Sequence, residues 1–335
     1  MDTKNQLNRR SVLATLGSGG LALTGWCFSP SRALTSSSAD EKRAVTLNQK
    51  AMELAHTTLR APDSSGRIPA KTVQELAGLE RMDVDSLMLG LLPVARTYSH
   101  PPISNYLVGA VARGASGDLY LGMNVEIPGH CLGFSVHGEQ AALSNAYMHG
   151  ENGIAAIAVT AAPCGHCRQF MNEMSIGGEI EILVAGQSPA RLSSLLPKSF
   201  GPKDLGFSQG AFPPQEHPFK LAENSNDTLA QAALDSARKS YAPYSESSSG
   251  VAIAAKSGRI YKGSYLENAA FNPSLSPLQA ALVQLLLAGD DYSSITRVTL
   301  TEVESAKISQ ASVTKTVLSS IAPGIELQTI FLERT

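Results

Sequence analysis

Cysteine is scarce in this chain: Cys27, Cys131, Cys164 and Cys167 are the whole set. Four thiols among 335 residues are too few for a disulfide scaffold. Concentrated positive charge is missing too. Lys and Arg number 27 against 29 Asp and Glu, a net charge of −2, and no basic stripe appears, which takes nucleic acid out of the expected partners. A long apolar run is also lacking, because the stretch that ends near Leu23 is short and glycine-rich. No permanent membrane anchor is therefore expected.

What remains is a globular composition, 43% hydrophobic and 17% charged, in a chain long enough for two domains and a sizeable core. Residues 1–40 read as a targeting segment. Arg9 and Arg10 precede Ser11-Val12-Leu13 and a glycine-containing apolar run, the pattern of a twin-arginine export signal, and Ser31-Arg32-Ala33 offers small residues for cleavage. The expected location is the periplasm, with the cytoplasm as the alternative if the signal does not function. Folded export suits a metal site, since zinc loaded beforehand would keep a pair of thiols from oxidising.

Residues 41–92 read as a helical region capping a catalytic domain at 93–196. In that domain Tyr106 to Arg113 and Leu119 to Glu126 form a predicted hairpin around Gly117-Asp118, followed by strands at Ile154 to Thr160 and Ile180 to Ala185. Helices are predicted between them, and the alternation implies an α/β core with a mixed sheet. Residues 197–227, rich in proline, glycine and polar residues, read as a linker. The chain then repeats itself over residues 228–335. Gly250–Glu267 (GVAIAAKSGRIYKGSYLE) echoes Gly109–Glu126 (GAVARGASGDLYLGMNVE), and Gln279-Ala-Ala-Leu echoes Gln140-Ala-Ala-Leu.

The chemistry concentrates between Ser135 and Met174. His137-Gly138-Glu139 is followed by Pro163-Cys164-Gly165-His166-Cys167. Zinc takes nitrogen and sulfur ligands in a tetrahedron, and a catalytic zinc keeps one position for a water whose pKa falls to about 7. His137, Cys164 and Cys167 supply three ligands, and Glu139 stands close enough to handle that water's protons. Pro163 suits the first position of a helix, which puts both cysteines in its first turn, where a thiolate is favoured. In the second copy Ser276, Pro277 and Leu278 take the places of His137, Gly138 and Glu139, and no cysteine follows. That copy keeps the fold and lacks the metal. Asn124 and Glu126, two apart on a predicted strand, point the same way and offer an amide and a carboxylate to sugar hydroxyls.

H-x-E…P-C-x-x-C is the signature of the zinc-dependent deaminases. Together with the runs Pro163–Glu173 (PCGHCRQFMNE), Phe200–Leu205 (FGPKDL) and Glu267–Pro273 (ENAAFNP), it makes the chain from about Leu47 onward resemble the two-domain, dimeric bacterial cytidine deaminases. The resemblance implies a three-layer fold duplicated as a catalytic and a zinc-free pseudo-catalytic domain, one zinc ion per subunit, and a homodimer. It implies hydrolytic deamination of cytidine and 2′-deoxycytidine, with Glu139 as the proton carrier. It also implies that Asn124 and Glu126 grip the ribose, that Tyr106 packs on the nucleoside where the family usually has Phe, and that Phe200 lies near the base. Ala270 and Phe271 would reach the neighbouring subunit's site. Gly138 stands where the family usually has Ala, which would loosen the turn or give the base more room. An export signal is unusual for the family, so the expected role is scavenging of nucleosides outside the cytoplasm, without stable membrane association after export.

Three other readings stay open on the residues alone. A thiol–disulfide oxidoreductase would use Cys164 and Cys167 but leaves His137, Glu139 and the repeat without a role. A nucleoside-binding protein with structural zinc needs a fourth protein ligand, for which His166 is the candidate. A deaminase acting on polynucleotides shares the zinc set but needs a basic groove.

Overall fold

The computed structural model describes residues 45–174 and 179–335; Cys27 and the twin-arginine segment lie outside them. The amino-terminal part comprises α1 (Gln49–Leu59), β1 (Arg67–Ile68), α2 (Ala70–Glu80) and α3 (Val84–Arg96). Two of these depart from the sequence expectation of a helical cap. β1 pairs antiparallel with β3 (Leu119–Met123), so this region donates a strand to the sheet. A two-residue strand is too short to leave a period in the sequence. α3 runs through Pro93 and past residue 92, so the boundary drawn there falls inside a helix. Burial of Val94 and Ala95 outweighs the backbone hydrogen bond that proline removes.

The first sheet adds β2 (Gly109–Gly114), β4 (Ile154–Val159), β5 (Glu181–Val184) and β6 (Ala190–Arg191), in the order β1-β3-β2-β4-β5-β6. β4 and β5 are parallel and the other pairs antiparallel, so the sheet is mixed. α3 covers one face, and α4 (Gly138–Met148) covers the other with α5 (Gly165–Met174) beside it. Two glycines set the spacing of these layers. A Cβ on Gly109 would meet the Leu92 carbonyl of α3, and a Cβ on Gly122 would fall on Ala142 N and Gly138 O of α4. Gly122→Ala is expected to cost at least about 1–3 kcal/mol, the usual penalty for overpacking, because the obstacle is helix backbone that cannot swing aside. Thermal unfolding checks this, and an unchanged melting temperature would contradict the close approach.

The second sheet contains β7 (Phe219–Leu221), β8 (Ser249–Ala255), β9 (Ile260–Ser264), β10 (Ile295–Val303) and β11 (Leu327–Arg334), ordered β7-β11-β10-β8-β9. With α7 (Thr228–Arg238), α8 (Pro277–Leu287) and α9 (Ala311–Ile321) it repeats the first. Gly250 meets α7 and Gly263 meets α8, as Gly109 and Gly122 meet α3 and α4. The isolated bridges match as well: His100 with Val125 and Val125 with Val136 in one copy, Tyr241 with Leu266 and Leu266 with Leu275 in the other. The chain is therefore a duplicated α/β fold in three layers.

The stretch read as a linker is structured at both ends. Pro202–Leu205 forms a 3-10 turn after the short α6 (Leu192–Leu195), and β7 pairs with β11 at the edge of the second sheet. Three residues, apolar at both ends, leave too little pattern among prolines to be recognised as a strand.

The two copies meet through α4 and α8, which are buried nearly all round. Such helices need apolar or paired residues on every side, and Gln140, Asn145, Gln279 and Gln284 find hydrogen-bond partners at the junction. Gln284 Nε2 donates to Asn145 Oδ1 at 3.0 Å, and Asn145 Nδ2 donates to Leu121 O at 3.0 Å. Two glutamines make a reciprocal exchange. Gln140 Nε2 donates to Pro273 O at 3.1 Å, while its counterpart Gln279 donates to Phe134 O at 3.0 Å.

Candidate metal centre and active site

Two helix starts build the site. His137 is the residue before α4, and its backbone N–H donates to Gln140 Oε1 at 3.2 Å. Gln140 thus ties His137 to its own helix and, through its amide nitrogen, to the second copy. The second helix begins two residues later than the proline signal implies. α5 opens at Gly165, so Pro163 lies outside it and Cys164 immediately precedes it, with Cys164 O accepting from Arg168 N at 3.0 Å. Cys167 is inside the helix and buried. The Arg168 side chain holds the turn, donating from Nε to Pro163 O at 2.9 Å and from a terminal nitrogen to Leu195 O at 2.8 Å. Sequence reasoning missed Arg168 and Gln140 as supports, although the repeated Gln-Ala-Ala-Leu marked the second.

The three ligand atoms converge. His137 Nδ1 lies 3.5 Å from Cys164 Sγ and 3.3 Å from Cys167 Sγ, and the two sulfurs are 3.5 Å apart. A tetrahedron with the usual Zn–S and Zn–N bond lengths has S···S and S···N edges of about 3.8 and about 3.6 Å. The triangle fits three vertices of that figure with slight contraction. A disulfide is much shorter, about 2.05 Å between sulfurs, and both cysteines are free. His166 does not join the cluster; its ring centroid lies 5.2 Å from that of His137. Among the described residues the grouping with metal-ligand geometry has three members, His137, Cys164 and Cys167.

Electrostatics favour a cation here. The Cys167 thiol donates toward Cys164, and backbone N–H groups at the start of α5 also face that sulfur, drawing the Cys164 pKa down to about 4. The same bond, reinforced by burial and by Glu139, pushes Cys167 up. Two thiolates side by side need a dication to balance them. Glu139, in the first turn of α4, is 5% exposed. Burial raises its pKa above the ordinary carboxylate range, which brings it closer to that of a group that both takes and gives protons near neutral pH.

Gly138 lies between His137 and Glu139. A Cβ there would point at Val108 Cγ1, 2.9 Å away, and at Ala110 beyond it. The space left by the missing methyl is taken up on the β2 side by Val108.

Asn124 and Glu126 lie beyond the end of β3, not within the strand as the alternation implied. Both grip the loop before β2. Asn124 accepts from Val108 N at 3.0 Å and donates to Tyr106 O at 2.8 Å. Glu126 accepts from the backbone of Ile103 and Ser104, both at 2.9 Å, and from Ser104 Oγ at 2.6 Å. Glu267, its counterpart, holds Tyr244 N and Ser245 N in the same way. These bonds use three of a carboxylate's roughly four acceptor directions. Tyr106 is 56% exposed at the tip of that loop. Phe200 is 46% exposed, and its carbonyl accepts from Gln169 at 2.8 Å and Asn172 at 3.1 Å, which fixes its backbone to α5. Ala270 and Phe271 are exposed and make no part of this chain's own metal cluster.

A duplicated three-layer α/β fold, a His-Cys-Cys tripod at two helix starts and a buried glutamate beside it together define a zinc-dependent hydrolytic deaminase. Residues 82–180 and 192–315 each match a family model described as cytidine and deoxycytidylate deaminase zinc-binding region. The cytidine deaminase of Vibrio vulnificus is 43% identical over 272 residues, 81% of this chain and 92% of that one. Those of Serratia proteamaculans and Yersinia pseudotuberculosis are 45% identical over 261 residues and 47% over 251, covering 78% and 75% of this chain and 88% and 84% of theirs. The crystal structure of cytidine deaminase from Mycobacterium tuberculosis is 30% identical and covers 34% of this chain and 95% of its own, with a TM-score of 0.32. The chain belongs to the cytidine deaminase family, and zinc is its cofactor.

Proposed function

We propose that this deaminase converts both cytidine and 2′-deoxycytidine to the uridine products and ammonia, using His137, Cys164 and Cys167 as zinc ligands. The observation that carries this is the triangle of ligand atoms at 3.3–3.5 Å with a buried carboxylate next to it. These three residues would hold the zinc and leave room for a water beside it. Zinc held by these residues would supply a Lewis acid that lowers the pKa of a bound water to about 7. Glu139 takes the proton that the water gives up and hands it to ring N3. Oxygen adds at C4, Glu139 then carries the remaining hydroxyl proton to the amine, and the C4–N bond breaks to release ammonia and leave the C4 carbonyl. One carboxylate serves both directions because the proton stays within a closed site.

Asn124 and Glu126 hold the loop that carries Tyr106 and keep an acceptor direction for a ribose hydroxyl. Tyr106 would then lie on the nucleoside, with Phe200 near the base. The working unit is a homodimer in which Ala270 and Phe271 complete the neighbour's site. Phe271 supports this reading, since a large aromatic that is 67% exposed has little to pack on in its own chain. Arg9 and Arg10 support export to the periplasm, where the enzyme would scavenge nucleosides. Among the described residues no helix is long and apolar enough to cross a membrane.

Ultraviolet monitoring of each nucleoside with purified protein tests the substrate reading. Both should be turned over, and inertness toward 2′-deoxycytidine would restrict the proposal to the ribonucleoside. Cell fractionation after Arg9 and Arg10 are changed to Lys tests the location; unchanged periplasmic activity would contradict twin-arginine export.

A further inference from the structure

α5 has a second working side. Gln169 and Glu173 are four residues apart and so share one stripe of the helix. Glu173 is 0% exposed, and the deamination scheme gives it no task. Its Oε1 accepts from Tyr241 Oη at 2.8 Å and from Tyr244 Oη, and its Oε2 accepts from Ala269 N at 2.9 Å. Beside it Asn268 Nδ2 donates to Gln169 O at 3.1 Å. Every one of these donors belongs to the zinc-free copy. A buried carboxylate is costly unless its lone pairs are filled, and here the filling groups come from two separate segments of the other domain.

One of those segments continues into the turn that ends at Phe271. Asn268 Oδ1 accepts from Ala270 N at 2.9 Å, Asn268 O accepts from Phe271 N at 2.8 Å, and Ser274 Oγ accepts from Asn268 N at 3.0 Å. Phe271 has φ +62°, a left-handed conformation that a bulky residue adopts only when its surroundings impose it. The helix that carries Cys167 thus also anchors a rigid turn that lifts an aromatic into solvent.

We propose that Glu173 is a positioning residue that acts across the dimer: it locks the Asn268–Phe271 turn to α5 of its own chain so that Phe271 meets the nucleoside site of the neighbouring subunit. The inference rests on the homodimer reading above. It gives the zinc-free domain a specific use, which is to hold a piece of the partner's site in register with its own metal-bearing helix.

Mixed dimers of two differently tagged full-length chains, loaded with zinc, test this. One chain is silenced by Glu139→Gln so that a single site reports. When Glu173→Gln lies in the silenced chain, the live site receives the loosened turn. KM for cytidine should then rise about tenfold, the loss of roughly one charge-assisted hydrogen bond, with kcat changed less than about twofold. When Glu173→Gln lies in the live chain, KM should stay at the value of the dimer silenced by Glu139→Gln alone. A KM rise only in the second arrangement, or equal rises in both, would overturn the proposal, because either means that Glu173 merely supports its own helix. Tyr244→Phe, which removes one donor and leaves the carboxylate, should give the same pattern with a smaller rise and replaces Glu173→Gln if that variant does not fold. Sedimentation is run alongside. A monomer would remove the homodimer reading itself and the proposal with it, whereas a dimer with the wrong KM pattern removes only the proposal.

Discussion

Glu139→Gln is expected to lower kcat for cytidine about a thousandfold, within the range that a positioned general acid–base group contributes, while one zinc per chain is retained. The amide has the shape of the carboxylate, so the packing of α4 against β3 is undisturbed. It cannot accept a proton from water and return it to the base. KM should change little, since the role proposed for the residue is proton transfer and not holding the sugar. Burial of Glu139 raises its pKa in the free protein, so the carboxylate form of the site is favoured as pH rises through that value and lost as pH falls. Steady-state kinetics with metal analysis on the same sample checks this. Activity within tenfold of the parent, zinc present, would remove Glu139 from the mechanism.

The second large effect belongs to Cys167. Cys167→Ser should weaken zinc binding by more than about a hundredfold, since even outer-shell partners of a metal typically contribute 10- to 100-fold. A serine hydroxyl in a buried position, facing Cys164 and Glu139, does not supply the anionic sulfur that zinc prefers. The purified variant should carry almost no zinc and turn over no cytidine. Its thermal midpoint should also fall, because α4 and α5 meet, each would supply zinc ligands, and binding free energy adds to folding free energy. Cys164 is exposed where Cys167 is buried, so Cys164→Ser should spare stability better than Cys167→Ser at equal loss of activity. Zinc analysis and calorimetry of both variants decide it; a Cys167→Ser protein with full zinc would contradict the ligand set.

Much of this was readable from residues. The ligand triad was legible because each member belongs to a local motif, and metal chemistry constrains which motifs can be combined. The duplication was legible because close helix–strand approach requires glycine at the same two places in each copy, Gly109 and Gly122, then Gly250 and Gly263. Helix and strand types followed from burial on both faces of a sheet. The short elements did not: β1 and β7 are strands because a neighbour offers them hydrogen bonds, not because their own sequence has a period. The proline signal puts the start of α5 two residues early, because proline marks a region and the capping geometry chooses the residue.

The supports were the least visible part. Gln140 looks like any helix residue, yet it bonds a carbonyl 133 positions away. Glu173 reads as a surface glutamate until three donors from the other copy close on it. In the sequence pattern Asn124 and Glu126 point the same way, and in the structure they are clasps of the Ile103–Val108 loop. Contacts of this kind depend on how two domains are joined, and the pattern of one segment carries no record of that.

X-ray absorption at the zinc edge of the purified full-length protein tests the coordination sphere directly. The account predicts two sulfurs at about 2.3 Å, one nitrogen at about 2.0 Å and one light oxygen neighbour from solvent. Outer-shell scattering from two imidazole rings instead of one, or a sphere with fewer than two sulfurs, would contradict it.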